Sequence, residues 1–159
     1  MLTYNIMTEK EKYDICNWKY EDEYSIYNLM HYDLMKKNNL FLADMNNKSR
    51  LLYSFYDNKN LVGFINLKDT ETGIFLGIGV NPLYCNKGYG KEIINISSVI
   101  AKEKFNKNNL YLEVRTWNKR AICCYKKSGF EIIGTAFMQK TNIGYGEFFR
   151  MIKNLGENK

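Results

Sequence analysis

Leu2, Tyr4 and Ile6 alternate with polar residues, a two-residue period that predicts a first strand. Thr8 followed three residues later by Glu11 is a reciprocal capping box, so a helix is expected over about 9–18. Further helix is expected between about 24 and 40, where a high aromatic content blurs the ends. LLYSFY (51–56), DNKN (57–60) and LVGFINL (61–67) read as strand, turn and strand, and KDTETG then turns the chain into a third apolar run, IFLGIGV (74–80). Asn81-Pro82 stops that run, because proline has no N–H to give a ladder. Ile93, Ile94, Ile96, Val99 and Ile100 then recur at helical spacing and predict the buried stripe of a helix over roughly 90–105, ended by NKNN (106–109). YLEV (111–114) reads as a strand. Asn118 is a good N-cap for a helix over 119–128, which Gly129 closes in the left-handed position. FEIIGTAF (130–137) and EFFRMI (147–152) give two last strands with a glycine-bearing connection between them. The order β-α-α-β-β-β-α-β-α-β-β places the chain in the α/β class.

With 159 residues and neither an internal repeat nor a low-complexity linker, residues 1–159 are expected to form a single domain. Apolar residues at 45% and charged residues at 25% exclude collagen-like and disordered chains. The longest stretch free of Asp, Glu, Lys and Arg runs from Thr72 to Asn86 and contains Asn81 and Pro82, so no membrane span is expected. The N-terminus lacks the basic start and apolar block of a secretory signal. Cys16, Cys85, Cys123 and Cys124 form no paired framework and no C-x-x-C motif, which suits a reducing cytoplasm. With His31 as the sole histidine, no metal site is expected, and histidine-based nucleophilic catalysis would hinge on that one residue.

The formal charge of +6 is unevenly spread: residues 1–35 hold seven acids against three lysines, and the remainder 20 basic residues against 10 acidic ones. One part therefore suits a cationic ligand and the other a polyanion, unless the imbalance serves solubility alone. A nucleic-acid partner is not expected, since no clustered basic stripe or recognised motif accompanies the charge.

The segment of most chemical interest is the strand 74–80, the loop CNKGYGK (85–91) and the helix after it. Glycines at 88 and 90 let the backbone approach a ligand, and a helix start presents unpaired N–H groups and the positive end of a dipole, so the loop suits phosphate unless it is merely a tight turn. It is no Walker A loop, because Gly90-Lys91 is followed by Glu92 and position 85 is not glycine. It is no dinucleotide fingerprint either, since Ile93 stands where the third glycine belongs.

VNPLYCNKGYGKEII resembles the acetyl-CoA loop of the GNAT superfamily of acyl-CoA N-acyltransferases: a strand, a proline, then Arg/Gln-x-x-Gly-x-Gly/Ala opening a helix. Cys85 stands where Arg or Gln is usual. A second segment, LEVRTWNKRAICCYKKSGF (112–130), resembles the same superfamily. It is most similar to the ribosomal-protein N-terminal alanine acetyltransferase branch, with matches at Leu112, Glu113, Val114, Arg115, Asn118, Ala121, Tyr125, Gly129 and Phe130. The resemblance covers about residues 74–137. It implies the GNAT fold, a mixed central sheet of about six to seven strands flanked by about four helices. It also implies acetyl-CoA as cofactor and transfer of an acetyl group to a primary amine.

By this resemblance the amides of Cys85, Asn86, Lys87, Gly88, Tyr89, Gly90 and Lys91 hold the CoA pyrophosphate, while the edge formed by Ile78, Gly79 and Val80 pairs with the pantetheine arm. Tyr125 would protonate or hydrogen-bond the departing sulfur; the alternative is a core tyrosine. Glu113 is either the general base, directly or through a water, or one half of a surface ion pair. Asn118 caps its helix, binds the pantetheine amide, or does both. The Val80 N–H is the expected oxyanion donor. An amine acceptor, whether a small molecule or a protein or peptide N-terminus, would meet the acidic, aromatic stretch WKYEDEYSIYNLMHYD (18–33), with GYGE (144–147) as the opposite wall. Trp18, Tyr24 and Tyr27 equally fit one helical face packed into a core. A monomer or homodimer is expected. The competing reading of the whole is a catalytically silent acyl-CoA sensor.

Overall fold

A computed structural model describes residues 1–44 and 49–156. Seven strands form one sheet: β1 (Thr3–Ile6), β2 (Arg50–Asp57), β3 (Asn60–Thr70), β4 (Gly73–Val80), β5 (Asn109–Arg115), β6 (Glu131–Thr141) and β7 (Gly144–Asn154), in the order β1-β2-β3-β4-β5-β7-β6. Every neighbour pairing is antiparallel except β4 with β5, so the sheet is mixed. The helices are α1 (Glu9–Cys16), α2 (Tyr32–Lys37), α3 (Tyr89–Phe105) and α4 (Lys119–Lys127). On one face, Ile93, Ile94 and Ile100 of α3 and Ile122 of α4 pack on Ile65, Leu76, Leu110, Leu112 and Val114. On the other, Ile15, Tyr32 and Met35 of α1 and α2 cover Phe64. Removing those apolar surfaces from water is what holds the layers together.

Local chemistry explains several element ends. Thr8 accepts from the Glu11 N–H while Glu11 Oε1 takes the Thr8 N–H at 2.8 Å, the capping box expected at the start of α1. Thr8→Ala should therefore cost about 1 kcal/mol of unfolding free energy, read as a lower urea midpoint with an unchanged m-value. Asn118 accepts from the Ala121 N–H at 3.2 Å, and Gly129 takes φ +97° after α4.

Three expectations are corrected. The helix expected between 24 and 40 is instead a 3-10 helix over Asp22–Tyr27, the short α2, and a 3-10 turn over Phe41–Ala43. Asn28 sits in extended backbone with its Oδ1 accepting from the Tyr20 N–H at 2.7 Å, so its side chain satisfies a local turn rather than continuing a helix. In α3 the stripe rotates: Val99 is 57% exposed, while Ser97, whose hydroxyl donates to the Ile93 carbonyl, and Ala101 are buried. Finally, GYGE (144–147) opens β7 in a tight hairpin with β6, rather than forming a loop wall.

Candidate active site

β4 and β5 pair only at Ile74–Leu110 and Phe75–Tyr111 and then diverge. Beyond that point the backbone groups of β4 that face β5 leave the ladder. Their direction follows from β3: the Asn81 N–H donates to the Val62 carbonyl at 2.8 Å, making that a hydrogen-bonded antiparallel pair. Alternation then turns the N–H and C=O of Val80 and Ile78 away from β3, into the split. Around the split lies a cavity of about 1000 Å³ whose lining includes Ile78, Gly79, Val80, Cys85, Asn86, Gly88, Tyr89, Gly90, Lys91, Glu113, Asn118 and Tyr125. Of the residues expected to hold the cofactor or carry the chemistry, Lys87 alone lies outside that lining; its ammonium sits 5.8 Å from the centre of the Tyr84 ring.

The loop after β4 has the features that an anion requires. Asn86 and Gly88 both take left-handed backbone, at φ +63° and +84°. Gly88 is the N-cap of the 17-residue α3 and has no side chain to cap with, so the first-turn amides remain open to a ligand. A Cβ built on Gly90 would lie 3.3 Å from Cys124 Sγ, so glycine there permits the close approach of α3 and α4. Cys85 turns its thiol inward, 3.7 Å from the Asn81 carbonyl, and burial pushes its pKa up. Tyr89 ties the loop to the β2–β3 turn through a 2.5 Å bond to Asp57 Oδ2.

Tyr125 lies in α4 with its ring edge-on to Phe130 at 6.1 Å, and its hydroxyl makes no hydrogen bond to a described residue. Burial, chiefly, with smaller contributions from Cys124 and Tyr27, pushes its phenol well above the usual range, so it remains an O–H donor through neutral and alkaline pH. Glu113 points to the opposite face of β5 from Leu112 and Val114 and stands 3.6 Å from Arg150 Nη2, its cross-strand neighbour. Glu113 thus pairs with a cation and also lines the cavity. Asn118 Nδ2 donates to the Tyr27 hydroxyl at 2.9 Å while its oxygen caps α4.

The segment from Trp18 to Tyr27 lies across the split as an aromatic strap. The Tyr20 hydroxyl donates to the Val80 carbonyl at 2.7 Å, Tyr24 and Tyr27 meet Trp117, and the Arg120 guanidinium lies 4.1 Å from the centre of the Tyr24 ring. Trp18 instead packs on Phe64, so Trp18, Tyr24 and Tyr27 do not form one helical face. The strap gives the cavity aromatics but no acid: Glu21, Asp22 and Glu23 are exposed outside it. The β7 segment 144–147 does not line it either. Tyr20 belonged to the expected acceptor stretch and Arg115 to the second motif, both without an assigned role; among the residues missed in the sequence, Arg120 carried no local signal, whereas Asn66 is conspicuous as the lone polar residue within LVGFINL. Among the described residues no helix is long and apolar enough to cross a membrane, and no cluster of His, Cys, Asp and Glu could hold a metal ion.

The profile of the Acetyltransferase (GNAT) family matches residues 12–130. An N-alpha-acetyltransferase from Sulfurisphaera tokodaii is 40% identical over 73 residues, which are 43% of this chain and 44% of that protein. An uncharacterized N-acetyltransferase, YfmK, from Bacillus subtilis is 29% identical over 87 residues, 50% of this chain and 53% of that protein. The chain spans about half the length of the curated relatives it matches. Among solved structures, a chimera of the spermidine N-acetyltransferase SpeG from Vibrio cholerae and hSSAT superposes with a TM-score of 0.81 at 20% identity, over 97% of this chain and 95% of that one. A ribosomal-protein-alanine N-acetyltransferase from Escherichia coli superposes with a TM-score of 0.72 at 18% identity, over 100% and 97%. These two likenesses establish the architecture.

Proposed function

The chain belongs to the GNAT acetyltransferase family, and on that premise we propose that it is an enzyme that moves an acetyl group from acetyl-CoA directly to a primary amine. The observation that carries this reading is the meeting, in one cavity, of the split β4 edge, the uncapped start of α3, Tyr125 and Glu113. The donor set fits the cofactor: first-turn amides and lysines suit a diphosphate, and the β4 edge facing the split suits the amides of a pantetheine arm. Acetyl-CoA bound there would supply the acetyl group as an activated thioester. The free cysteines fit a reducing cytoplasm as the setting.

The chain's own groups then divide the work. Glu113 takes a proton from the acceptor's ammonium, directly or through a water, because only the neutral amine carries the lone pair that attacks. The Val80 N–H, turned into the split, donates to the acyl oxygen as negative charge gathers on it. With acetyl-CoA bound, the Tyr125 O–H would donate a hydrogen bond to the departing sulfur as the carbon–sulfur bond breaks, and the proton shed by the acylated nitrogen would end on that thiolate. A phenol at pKa ~10 is a weaker acid than a thiol at ~8.5, so Tyr125 assists by hydrogen bonding rather than by outright proton release. Tyr20 and Asn118 hold the two sides of the split in place through Val80 and Tyr27.

The test is thiol release from acetyl-CoA in the presence of amines and N-terminal peptides. Glu113→Gln should lower kcat by about a hundredfold and leave the CoA dissociation constant within twofold. Turnover equal to wild type in that variant would remove Glu113 as base. CoA binding without thiol release from any amine would instead favour a sensor.

A further inference from the structure

The sheet register sets three residues in one row across the mouth of the split. Asn66 of β3 faces Gly77 of β4, and the parallel pair Phe75–Tyr111, continued two residues, brings Gly77 level with Glu113 of β5. Alternation directs Asn66 and Glu113 to the same face, the one that also carries Phe64, Phe75 and Tyr111. Gly77 has no side chain, so the middle of the row is a recess: a Cβ there would sit 3.5 Å from Asn66 Cβ and 3.7 Å from its Nδ2. Two strand spacings of ~4.8 Å put Asn66 and Glu113 on the order of 10 Å apart, backbone to backbone, before the split widens the gap.

Asn66 is the unexplained member of this row. It is 4% exposed and lines the cavity, yet its Oδ1 has no hydrogen-bond partner and its Nδ2 bonds to no described residue. A buried carboxamide without partners is costly, which points to a partner that arrives with the ligand. Half a turn about its last side-chain torsion brings the oxygen to where the nitrogen now stands, above Gly77.

The lining also limits the acceptor's charge. Among the described residues Glu113 is its single carboxylate, against Lys91, Arg115, Arg120 and Lys127. A second ammonium on the acceptor would meet no anion there, whereas an apolar body would meet Trp18, Phe41 and Phe64.

We propose that Asn66 is an acceptor-binding residue: its carboxamide and Glu113 together hold the primary amine of a monocationic acceptor with an apolar or aromatic body in the recess over Gly77. The inference rests on the acetyltransferase reading above and names the acceptor's class.

The experiment compares wild type, Asn66→Leu and Gly77→Ala, using phenethylamine, a peptide with N-terminal phenylalanine, and spermidine as acceptors, with KM measured separately for acceptor and acetyl-CoA. Wild type should turn over phenethylamine or the peptide with at least tenfold higher kcat/KM than spermidine, and whichever of the two is used identifies the source of the amine. Asn66→Leu removes the hydrogen bonds at similar volume, and Gly77→Ala fills the recess with only an ordinary contact. Each should raise the acceptor KM about tenfold while the acetyl-CoA KM stays within twofold. Preference for spermidine overturns the inference, as does an unchanged acceptor KM in both variants or an equal rise in both KM values accompanied by a lower Tm. Thiol release from none of the three acceptors by wild type that still binds CoA overturns the transfer reading and the inference with it. Wild-type turnover without the variant effects overturns the inference alone.

Discussion

Tyr125→Phe should lower kcat by about a hundredfold to a thousandfold while leaving CoA affinity and Tm nearly unchanged. The phenol makes no hydrogen bond to a described residue, and the edge-on contact with Phe130 survives in phenylalanine, so the substitution removes only the donor that faces the cavity. Loss of one well-placed proton donor is worth a factor of about 10² to 10⁴. Stopped-flow thiol release with a saturating amine measures it, and a fall smaller than threefold would remove Tyr125 from the chemistry. The same environment predicts the shape of the pH profile. Burial raises the Tyr125 pKa above its ordinary value, so the protonated form persists where a free tyrosine would ionise. The wild-type rate should therefore rise as the amine loses its proton and should show no tyrosine-like decline between about pH 8 and 10.

Gly88→Val should raise the CoA dissociation constant about tenfold or more. A Cβ at position 88 meets nothing within 4 Å, so crowding is not the cause. Its φ of +84° is the cause: L side chains disfavour left-handed backbone by roughly 1–2 kcal/mol, and a β-branched residue worsens the strain. The loop escapes by rotating, which turns the first-turn amides of α3 away from the ligand. Gly88→Asn is the control, because asparagine tolerates this backbone, as Asn86 does two residues earlier at φ +63°. Titration calorimetry with CoA should place Gly88→Asn within about threefold of wild type. Equal affinity for wild type and Gly88→Val would show that this turn does not hold the diphosphate.

The parts of the site that were legible in the linear chain are those built from neighbours. Gly88 needs left-handed backbone before a helix, Asn118 caps the helix that starts at the next residue through the N–H three positions on, and Thr8 with Glu11 closes a box over four residues. Strand alternation along β5 likewise sets Glu113 apart from Leu110, Leu112 and Val114 of the apolar layer. The helix expected between 24 and 40 broke up where Tyr27 bonds to Asn118, 91 positions away, and Asn28 turns back to the Tyr20 N–H, while Tyr20 itself is held by Val80, 60 positions away. Propensity cannot register such partners. In the same way the acids at 21–23 suggested an anionic wall for a cationic acceptor, yet the fold turns them to solvent and brings in only the rings on either side of them.

Spacing along the chain was thus enough for the α/β class, since short-range geometry follows from caps, turns and alternation, and the resemblance of two segments was enough for the family, with Glu113 and Tyr125 as the candidates it implied. The divergence of β4 from β5, the strap across it, the Glu113–Arg150 pair and the row of Asn66, Gly77 and Glu113 became visible only in three dimensions. Each depends on strand register and on contacts between residues far apart in sequence, and the burial of two apolar layers against one sheet, rather than any local preference, sets that register.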